Sequence, residues 1–92
     1  MQVLQSETGH KGRFYIENNG KDIARMFYVW AGDDRIIIEH TETDEKAKGK
    51  GLGKQLVLAA VDFARGKGIS VIPLCTFARG VFDRVPEIRD VL

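Results

Sequence analysis

The stretch Lys48–Lys54 reads Lys-Gly-Lys-Gly-Leu-Gly-Lys and places three alternating glycines and three lysines at the start of an amphipathic helix. Glycines free the backbone, and a helix N-terminus offers unpaired N–H groups with a partial positive charge. A phosphate or pyrophosphate requires both features. The stretch therefore predicts a nucleotide-type cofactor site, and it limits the fold to one in which a strand leads into a glycine loop and a helix.

After the loop, the chain reads as a helix, a buried strand and a second short helix. The apolar residues of the first helix recur at helical spacing: Leu56, Val57, Ala60, Val61 and Ala64. Gly66 or Gly68 ends this helix, and Ile69–Cys75 is a short apolar strand with Pro73 near its end. The second helix contains Phe77, Ala78, Val81 and Phe82, begins with Thr76 as N-cap, and ends at Val85-Pro86.

Before the loop, the pattern predicts an irregular arm over residues 1–11, with His10 as a solvated loop residue, and then three strands. The strands span residues 13–18, 23–31 and 35–44, and they are separated by turns at Asn19-Gly20 and Gly32-Asp33-Asp34. In the third strand, Ile36, Ile38, His40 and Glu42 share one face if no bulge intervenes, and Ile37, Glu39, Thr41 and Thr43 share the other.

Strand, glycine loop, helix and strand from Arg35 to Cys75 form a βαβ unit, whose strands are parallel and whose crossover is almost always right-handed. Ligands of open α/β sheets bind outside the carboxyl ends of the parallel strands. We therefore expect residues 40–44, the glycine loop and Cys75 to meet at one crevice. The predicted fold class is α/β, a single domain over residues 1–92 with an antiparallel β-meander, the βαβ unit and a final short helix.

Two well-known glycine motifs do not fit the spacing. An ATPase phosphate loop requires four residues between its first glycine and Gly-Lys, whereas Gly49 precedes Gly53-Lys54 by three residues. A dinucleotide fingerprint requires G-x-G-x-x-G, but these glycines alternate strictly. The spacing that does match is a basic or amide residue, then glycine, then glycine or alanine, at Lys48, Gly51 and Gly53.

At these residues the chain resembles the short single-domain subgroup of the GNAT superfamily, the acetyl-CoA-dependent N-acetyltransferases. The resemblance also rests on His40-Thr41-Glu42 and on Val71–Cys75 followed by Phe77. It implies that the pyrophosphate of coenzyme A binds the loop amides, and that its pantetheine arm adds like a strand between splayed parallel strands. The implied cofactor-binding residues are Thr41, Glu42, Thr43, Lys48, Gly49, Lys50, Gly51, Leu52, Gly53, Lys54, Cys75 and Phe77.

The chain departs from the family pattern at four positions. Lys48 stands where relatives usually carry Arg or Gln, which keeps a positive charge but loses the planar fork for bidentate phosphate contact. Thr76 replaces a common proline. Val81 and Ile88 occupy positions where many relatives carry tyrosine, so the resemblance does not carry over a tyrosine acid.

Three residues are candidates for the chemistry. Cys75 at a helix threshold either forms a reactive thiolate, which attacks an acyl thioester or forms a mixed disulfide with CoA, or is a small buried residue. His40 or Glu42 would accept the proton of an attacking amine; the alternatives are a structural histidine and an exposed carboxylate.

We therefore expect transfer of acetyl from acetyl-CoA to a primary amine, by direct attack or through acetyl-Cys75. The resemblance implies that short relatives lack the N-terminal helices that form an acceptor groove, so the acceptor is unknown: the alternatives are a protein tail, a small amine, or no acceptor at all. Two alternatives stay open: a CoA-binding or sensing module with little turnover, and an anion- or nucleic-acid-binding module that uses the lysines.

Composition and charge limit the metals, compartments and partners that we expect for the chain. The net charge is +1, and the single cysteine excludes an internal disulfide and a cysteine-rich zinc site, so no metal is expected. The longest apolar run, Leu56–Val61, is six residues, far below a membrane span, and residues 1–11 lack an apolar signal core. We expect a cytoplasmic monomer or weak homodimer with no membrane partner, and nucleic acid ranks last among the partners.

Overall fold

The computed structural model describes residues 2–92, which form a five-stranded sheet with two helices. The strands lie in sequence order: β1 (Val3–Thr8), β2 (Lys11–Asn18), β3 (Lys21–Trp30), β4 (Arg35–Thr43) and β5 (Ser70–Pro73). The helices are α1 (Leu52–Lys67) and α2 (Thr76–Arg84), and 3₁₀ turns cover Glu45–Ala47 and Pro86–Val91. The first four strands are antiparallel, and β5 is parallel to β4. The predicted α/β architecture is confirmed, and the sheet is open.

Helix α1 lies across one face of the sheet and closes the core. Its apolar positions predicted from the sequence are all buried: Leu56, Val57, Ala60, Val61 and Ala64. The sheet residues of this face are equally buried: Phe14, Ile16, Ala24, Met26, Tyr28, Ile36 and Ile38. Each large apolar side chain buried in this way contributes about 1.5–3 kcal/mol. Gly68, at φ 66°, ends α1 in the left-handed conformation that glycine adopts most easily. Neither helix of the described residues has the length and hydropathy to cross a membrane.

The turns between the strands follow the prediction. Asn19 and Gly20 both have positive φ, 54° and 76°, which is the conformation of a two-residue hairpin turn of type I′. His10 lies exposed in the turn that joins β1 and β2. The limits of the predicted strands lie within two residues of the observed ones, and β2 and β3 each begin two residues earlier than predicted.

The prediction of an irregular arm over residues 1–11 is wrong, because residues 3–8 form edge strand β1 along β2. Met1 lies outside the described residues. The strand carries little apolar signal since its edge position leaves it mostly exposed. Side-chain hydrogen bonds attach β1 to the rest of the sheet. The Tyr28 hydroxyl donates to Glu7 Oε1 (2.6 Å) and accepts from Gln5 Nε2 (2.7 Å). Trp30 Nε1 also donates to Glu7 Oε1 (2.9 Å).

These contacts shift the ionisation of both partners. The hydrogen bonds from Tyr28 and Trp30 lower the pKa of Glu7, and burial followed by the bond to Glu7 raises the pKa of Tyr28 to about 12. The Tyr28 hydroxyl reaches β1 only because its ring crosses Gly12 on the strand between them. A Cβ at Gly12 would lie 2.4 Å from Cζ of Tyr28.

The change Gly12→Ala is therefore expected to lower the free energy of unfolding by about 2 kcal/mol, the usual cost of overpacking a core. Urea unfolding measures this value. In a Tyr28→Leu background, where the ring is absent, the same change should cost clearly less. An equal cost in both backgrounds would show that the Tyr28 ring is not the cause.

Strand β4 contains a bulge that overturns the predicted assignment of its faces. Phe27 pairs with His40 and Tyr28 pairs with Ile38, so Glu39 has no partner on β3. Because side chains alternate along a strand, the extra residue moves all later side chains to the opposite face. Thr41 and Thr43 therefore share the core face with Ile36 and Ile38, whereas His40 and Glu42 lie on the opposite face.

Strands β4 and β5 separate beyond the bulge. Their pairing ends at Ile38 and Pro73, and the N–H groups of Leu74 and Cys75 both donate to the Ile38 carbonyl at 3.1 Å. The strand predicted over residues 69–75 is thus shorter, since the chain turns there into α2. Cys75, not Thr76, is the N-cap: the N–H of Arg79 donates to the Cys75 carbonyl at 3.0 Å.

Candidate functional site

The glycine loop presents free backbone N–H groups at the start of α1. Gly49 and Gly51 have φ of 83° and 73°, values that non-glycine residues adopt with strain. Gly51 is the N-cap of α1 and supplies no capping side chain, and the first helical bond runs from Gln55 N–H to Gly51 O at 3.2 Å. The amides of residues 52–54 therefore point out of the helix with no acidic residue in the first turn. This arrangement suits a phosphate.

A cleft of about 460 Å³ opens between this helix start, the end of β4 and α2. Nine predicted cofactor residues line it: Thr41, Thr43, Lys48, Gly49, Gly51, Leu52, Gly53, Lys54 and Phe77. Phe77 is 42% exposed and lies against Gly53, where a Cβ would stand 2.5 Å from its ring. The absence of a side chain at Gly53 therefore allows Phe77 to form an apolar wall of the cleft.

Two further residues of the cleft, Ala47 and Arg84, were missed by the sequence reasoning. Arg84 lies seven positions after Phe77 in α2, which places both on one side of the helix. That spacing was a signal in the sequence. Arg84 adds a cation to those of Lys48 and Lys54, although Lys48 Nζ also lies 3.0 Å from Glu45 Oε2 in an exposed ion pair.

Three predicted cofactor residues do not line this cleft. Lys50 borders a neighbouring hollow of about 650 Å³ on the other side of Ala47. Cys75 lies behind Thr41, and its Sγ is 3.3 Å from Thr41 Oγ1. Glu42 projects from the opposite face of β4, as the bulge at Glu39 requires.

The thiol of Cys75 has polar surroundings. Burial raises its pKa, but the hydrogen bond between its Sγ and the Thr41 hydroxyl, together with those from the backbone N–H groups of Ala78, Phe77 and Thr41, outweighs burial and lowers the pKa below its ordinary value. The half-buried thiol at the N-terminus of α2 is therefore more readily ionised than an ordinary cysteine.

His40 and Glu42 lie side by side on the face away from the helices. Their Nε2 and Oε2 atoms are 3.2 Å apart, and His40 is 61% exposed with its ring nearly parallel to that of Phe27. The bond from Arg25 and then that from His40 lower the pKa of Glu42. A carboxylate with a lowered pKa is a weak proton acceptor, so Glu42 is poorly suited to act as a base.

Arg25 holds this group of acids together. Its guanidinium contacts Asp44 Oδ1 (2.9 Å), Glu42 Oε1 (3.1 Å) and Asp22 Oδ1 (3.1 Å). Asp22 also bonds Arg13. The bond to Asp44 is the largest cause of a raised Arg25 pKa.

Among residues 2–92 no three side chains form a cluster that would hold a metal ion.

The change Arg25→Met is expected to raise the pKa of Glu42 toward the ordinary 4.5. In the native protein the lowered pKa of Glu42 stabilises the folded state at pH values above the pKa that Glu42 has in the unfolded chain. This stabilisation is lost as the pH falls through the lower pKa that Glu42 has in the folded chain. The native chain should therefore lose its stability advantage over the variant on acidification. A ¹³C NMR titration of the Glu42 carboxyl measures the shift, and Arg35→Met, which removes an exposed arginine paired with Asp34, is the control.

Within residues 2–92 the fold is an open, largely antiparallel sheet, and its parallel strands β4 and β5 diverge beside a cationic glycine loop. A family model for GCN5-related N-acetyl-transferases matches residues 13–91. The chain belongs to this family. The resemblance stated from the sequence is thereby confirmed.

Individual proteins agree with this assignment. Protein NATD1 of Xenopus tropicalis is 35% identical over 52 residues, or 55% of this chain, and the match covers about half of that protein, 48%. A GCN5-like protein of Staphylococcus aureus, solved by NMR, is 27% identical with a TM-score of 0.72, over 98% of this chain and 85% of that one.

One similar structure contains the coenzyme. Aminoglycoside N-acetyltransferase AAC(6')-Iy, solved in complex with CoA, has a TM-score of 0.61 over 84% of this chain and 67% of that chain. At 15% identity, this likeness shows a shared fold.

Proposed function

We propose that the chain transfers the acetyl group of acetyl-CoA to a primary amine. The observation that carries the proposal is that the glycine-loop cleft extends to Thr41 and Thr43 of β4, beyond the point at which the pairing of β4 with β5 ends. One ligand with a phosphate end and an extended arm fits such a shape. The AAC(6')-Iy complex, in which the same fold holds CoA, supports this choice of ligand.

The phosphate end would bind at the start of α1. The residues present fit a pyrophosphate: positive φ at Gly49 and Gly51, outward amides at residues 52–54, and the cations Lys54 and Arg84 in the same cleft. Backbone N–H groups at a helix start stabilise anions by direct hydrogen bonds and by the helix dipole. Lys48 would exchange its exposed partner Glu45 for a phosphate at little cost, because exposed ion pairs contribute little.

The pantetheine arm would lie along β4. Pairing with β5 ends at Ile38, so the backbone groups of residues 41–43 on that side have no strand beside them. An amide-containing arm that enters the gap would therefore find hydrogen-bond partners as a further strand does. Thr41 and Thr43 line the cleft at this point, and Phe77 offers an apolar surface.

The chemical step requires that an amine nitrogen attack the thioester carbonyl carbon, that the C–S bond break, and that the amine lose a proton. His40 is suited to accept that proton because it is exposed beside the gap and faces away from the cofactor cleft. The amine would thus approach from the open face, and the thioester from the helix face. CoA leaves as a thiolate, which takes up one proton.

Direct transfer is favoured over an acetyl-Cys75 intermediate by the placement of the thiol. Cys75 lies on the cofactor side behind Thr41, whereas His40 lies on the other face of β4. Cys75 does not line the cofactor cleft, so a thioester bound there would not contact its thiol directly.

Calorimetry with acetyl-CoA and a CoA-release assay with a panel of amines test the proposal. We expect binding tighter than millimolar and amine-dependent release of CoA. Cys75→Ala should retain activity within about tenfold of the native chain, in keeping with the loss of one hydrogen bond. Complete loss of activity, together with one acetyl group on native Cys75 in intact-mass spectra, would establish the covalent route instead.

A second candidate function is a CoA-binding or sensing module. The lowered pKa of Glu42 favours it, because one of the two predicted bases is then a weak proton acceptor. Binding of acetyl-CoA without CoA release for any amine would support this function over transfer.

A further inference from the structure

The sheet face opposite α1 carries apolar side chains that are only half-buried. By alternation along the strands these are Tyr15, Phe27, Val29, Ile37 and Ile72, and none belongs to the buried core. Within residues 2–92 the two helices contact each other and pack on the other face, where Ala78, Val81 and Phe82 of α2 join the core. This open face therefore offers apolar surface to a ligand.

Part of the open face adjoins the gap between β4 and β5. Phe27 is the direct cross-strand neighbour of His40, with ring centroids 6.4 Å apart and planes 15° from parallel. Leu74, the residue at which β5 turns away from β4, is 58% exposed. We call Phe27, His40 and Leu74 the aromatic ledge.

The two sides of the gap differ in charge. The cofactor side has Lys48, Lys54 and Arg84 on its lining. Beside the ledge, two arginines, Arg13 and Arg25, face three carboxylates, Asp22, Glu42 and Asp44. An anion is thus favoured on one side and a single ammonium on the other.

The ion pairs beside the aromatic ledge also limit the number of positive charges that a ligand on this face can carry. Glu42 already contacts both Arg25 and His40, and Asp22 contacts both arginines. A polyamine or a lysine-rich segment would have to displace these partners at each additional charge. A ligand with one amine and an apolar body avoids this loss.

From these observations we propose that the aromatic ledge is the acceptor subsite and that it takes a small arylalkylamine. This inference rests on the function proposed above. The ammonium group would lie near Glu42 and His40 at the mouth of the gap, and the aromatic ring would pack on Phe27 and Leu74. Contacts between aromatic rings contribute free energy beyond that of burial, so the site should bind an aromatic ring more tightly than an alkyl chain.

The test uses ¹⁵N-labelled full chain, with and without saturating CoA, titrated with phenethylamine. We expect amide shifts concentrated at Phe27, His40 and Leu74. n-Butylamine, which has the same ammonium but no ring, should bind about five to ten times more weakly. Phe27→Ala should weaken phenethylamine binding by a similar factor.

Val29→Ala is the matched control, because Val29 lies on the same strand and face with similar burial but pairs with Lys11 and Ile37, away from the ledge. It should leave the phenethylamine Kd within about twofold. If Phe27→Ala does not fold, Phe27→Leu and the shift map of the native chain decide the matter.

Several results would contradict the proposal that the aromatic ledge is the acceptor subsite. These are amide shifts at other surfaces, tighter binding of spermidine or a lysine peptide than of phenethylamine, or unchanged phenethylamine binding in the Phe27 variants. These results are distinct from failure of the proposed function. Acetylation of phenethylamine that is unaffected by Phe27→Ala would support the transferase and overturn the ledge. Binding at the ledge without acetyl transfer would support the ledge and count against the transferase.

Discussion

Replacement of His40 by glutamine is expected to slow acetyl transfer about a hundredfold, the effect usual for loss of a general base. Glutamine keeps similar size and hydrogen bonding but does not accept the proton. The effect should fall on kcat, whereas calorimetry should show acetyl-CoA binding within about twofold of the native value, since His40 faces away from the cofactor cleft.

The natural control is the other histidine of the chain. His10 lies exposed in the turn between β1 and β2, so His10→Gln should leave turnover unchanged. Unchanged turnover in His40→Gln would assign proton transfer to Glu42 or to solvent.

The change Gly53→Ala should weaken acetyl-CoA binding at least about tenfold with little loss of fold stability. The new methyl group would stand 2.5 Å from Phe77, whose ring is partly exposed and free to swing away. A displaced ring would occupy the cleft that the ring now lines. An affinity loss of this size corresponds to about 1.4 kcal/mol, which calorimetry resolves easily.

Gly66→Ala provides the matched control for this change. Gly66 lies in the same helix, and a Cβ there meets nothing within 4 Å. Alanine at this position should leave acetyl-CoA affinity unchanged and slightly stabilise the helix. Equal affinities in the two variants would show that the Phe77 wall does not contribute to binding.

The sequence predicts the elements that carry a strong local signal. Helix α1 has five apolar residues at regular spacing, and the Asn19-Gly20 turn uses residues that tolerate positive φ. Strand β1 has no comparable signal, because its attachment depends on Glu7 and Gln5 meeting Tyr28 across β2. That contact exists only once Gly12 and Tyr28 are neighbours, so a local pattern does not reveal it.

The candidate site divides in the same way. The glycine loop is a contiguous motif, and nine of the twelve predicted cofactor-binding residues line one cleft. The prediction put His40 on the face of Ile36 and Ile38, and its actual position on the opposite face was not predicted, since it depends on the bulge in the pairing between β3 and β4. Arg84 was missed because its seven-residue spacing from Phe77 was not used, and the placement of α2 beside α1 shows that both residues line the cleft.

The bulge in β4 requires an extra residue at position 39, and the side chain of that residue is expected to have little effect on the fold. Glu39→Ala keeps the residue count and should preserve both the fold and the cleft. Deletion of Glu39 would restore regular pairing with the same partners, so that His40 would still pair with Phe27 on the open face and Thr41 with Met26 on the core face. Both changes are therefore expected to keep the faces of the residues that follow, and the deletion should remove only the local bend and added twist that a bulge gives to a strand.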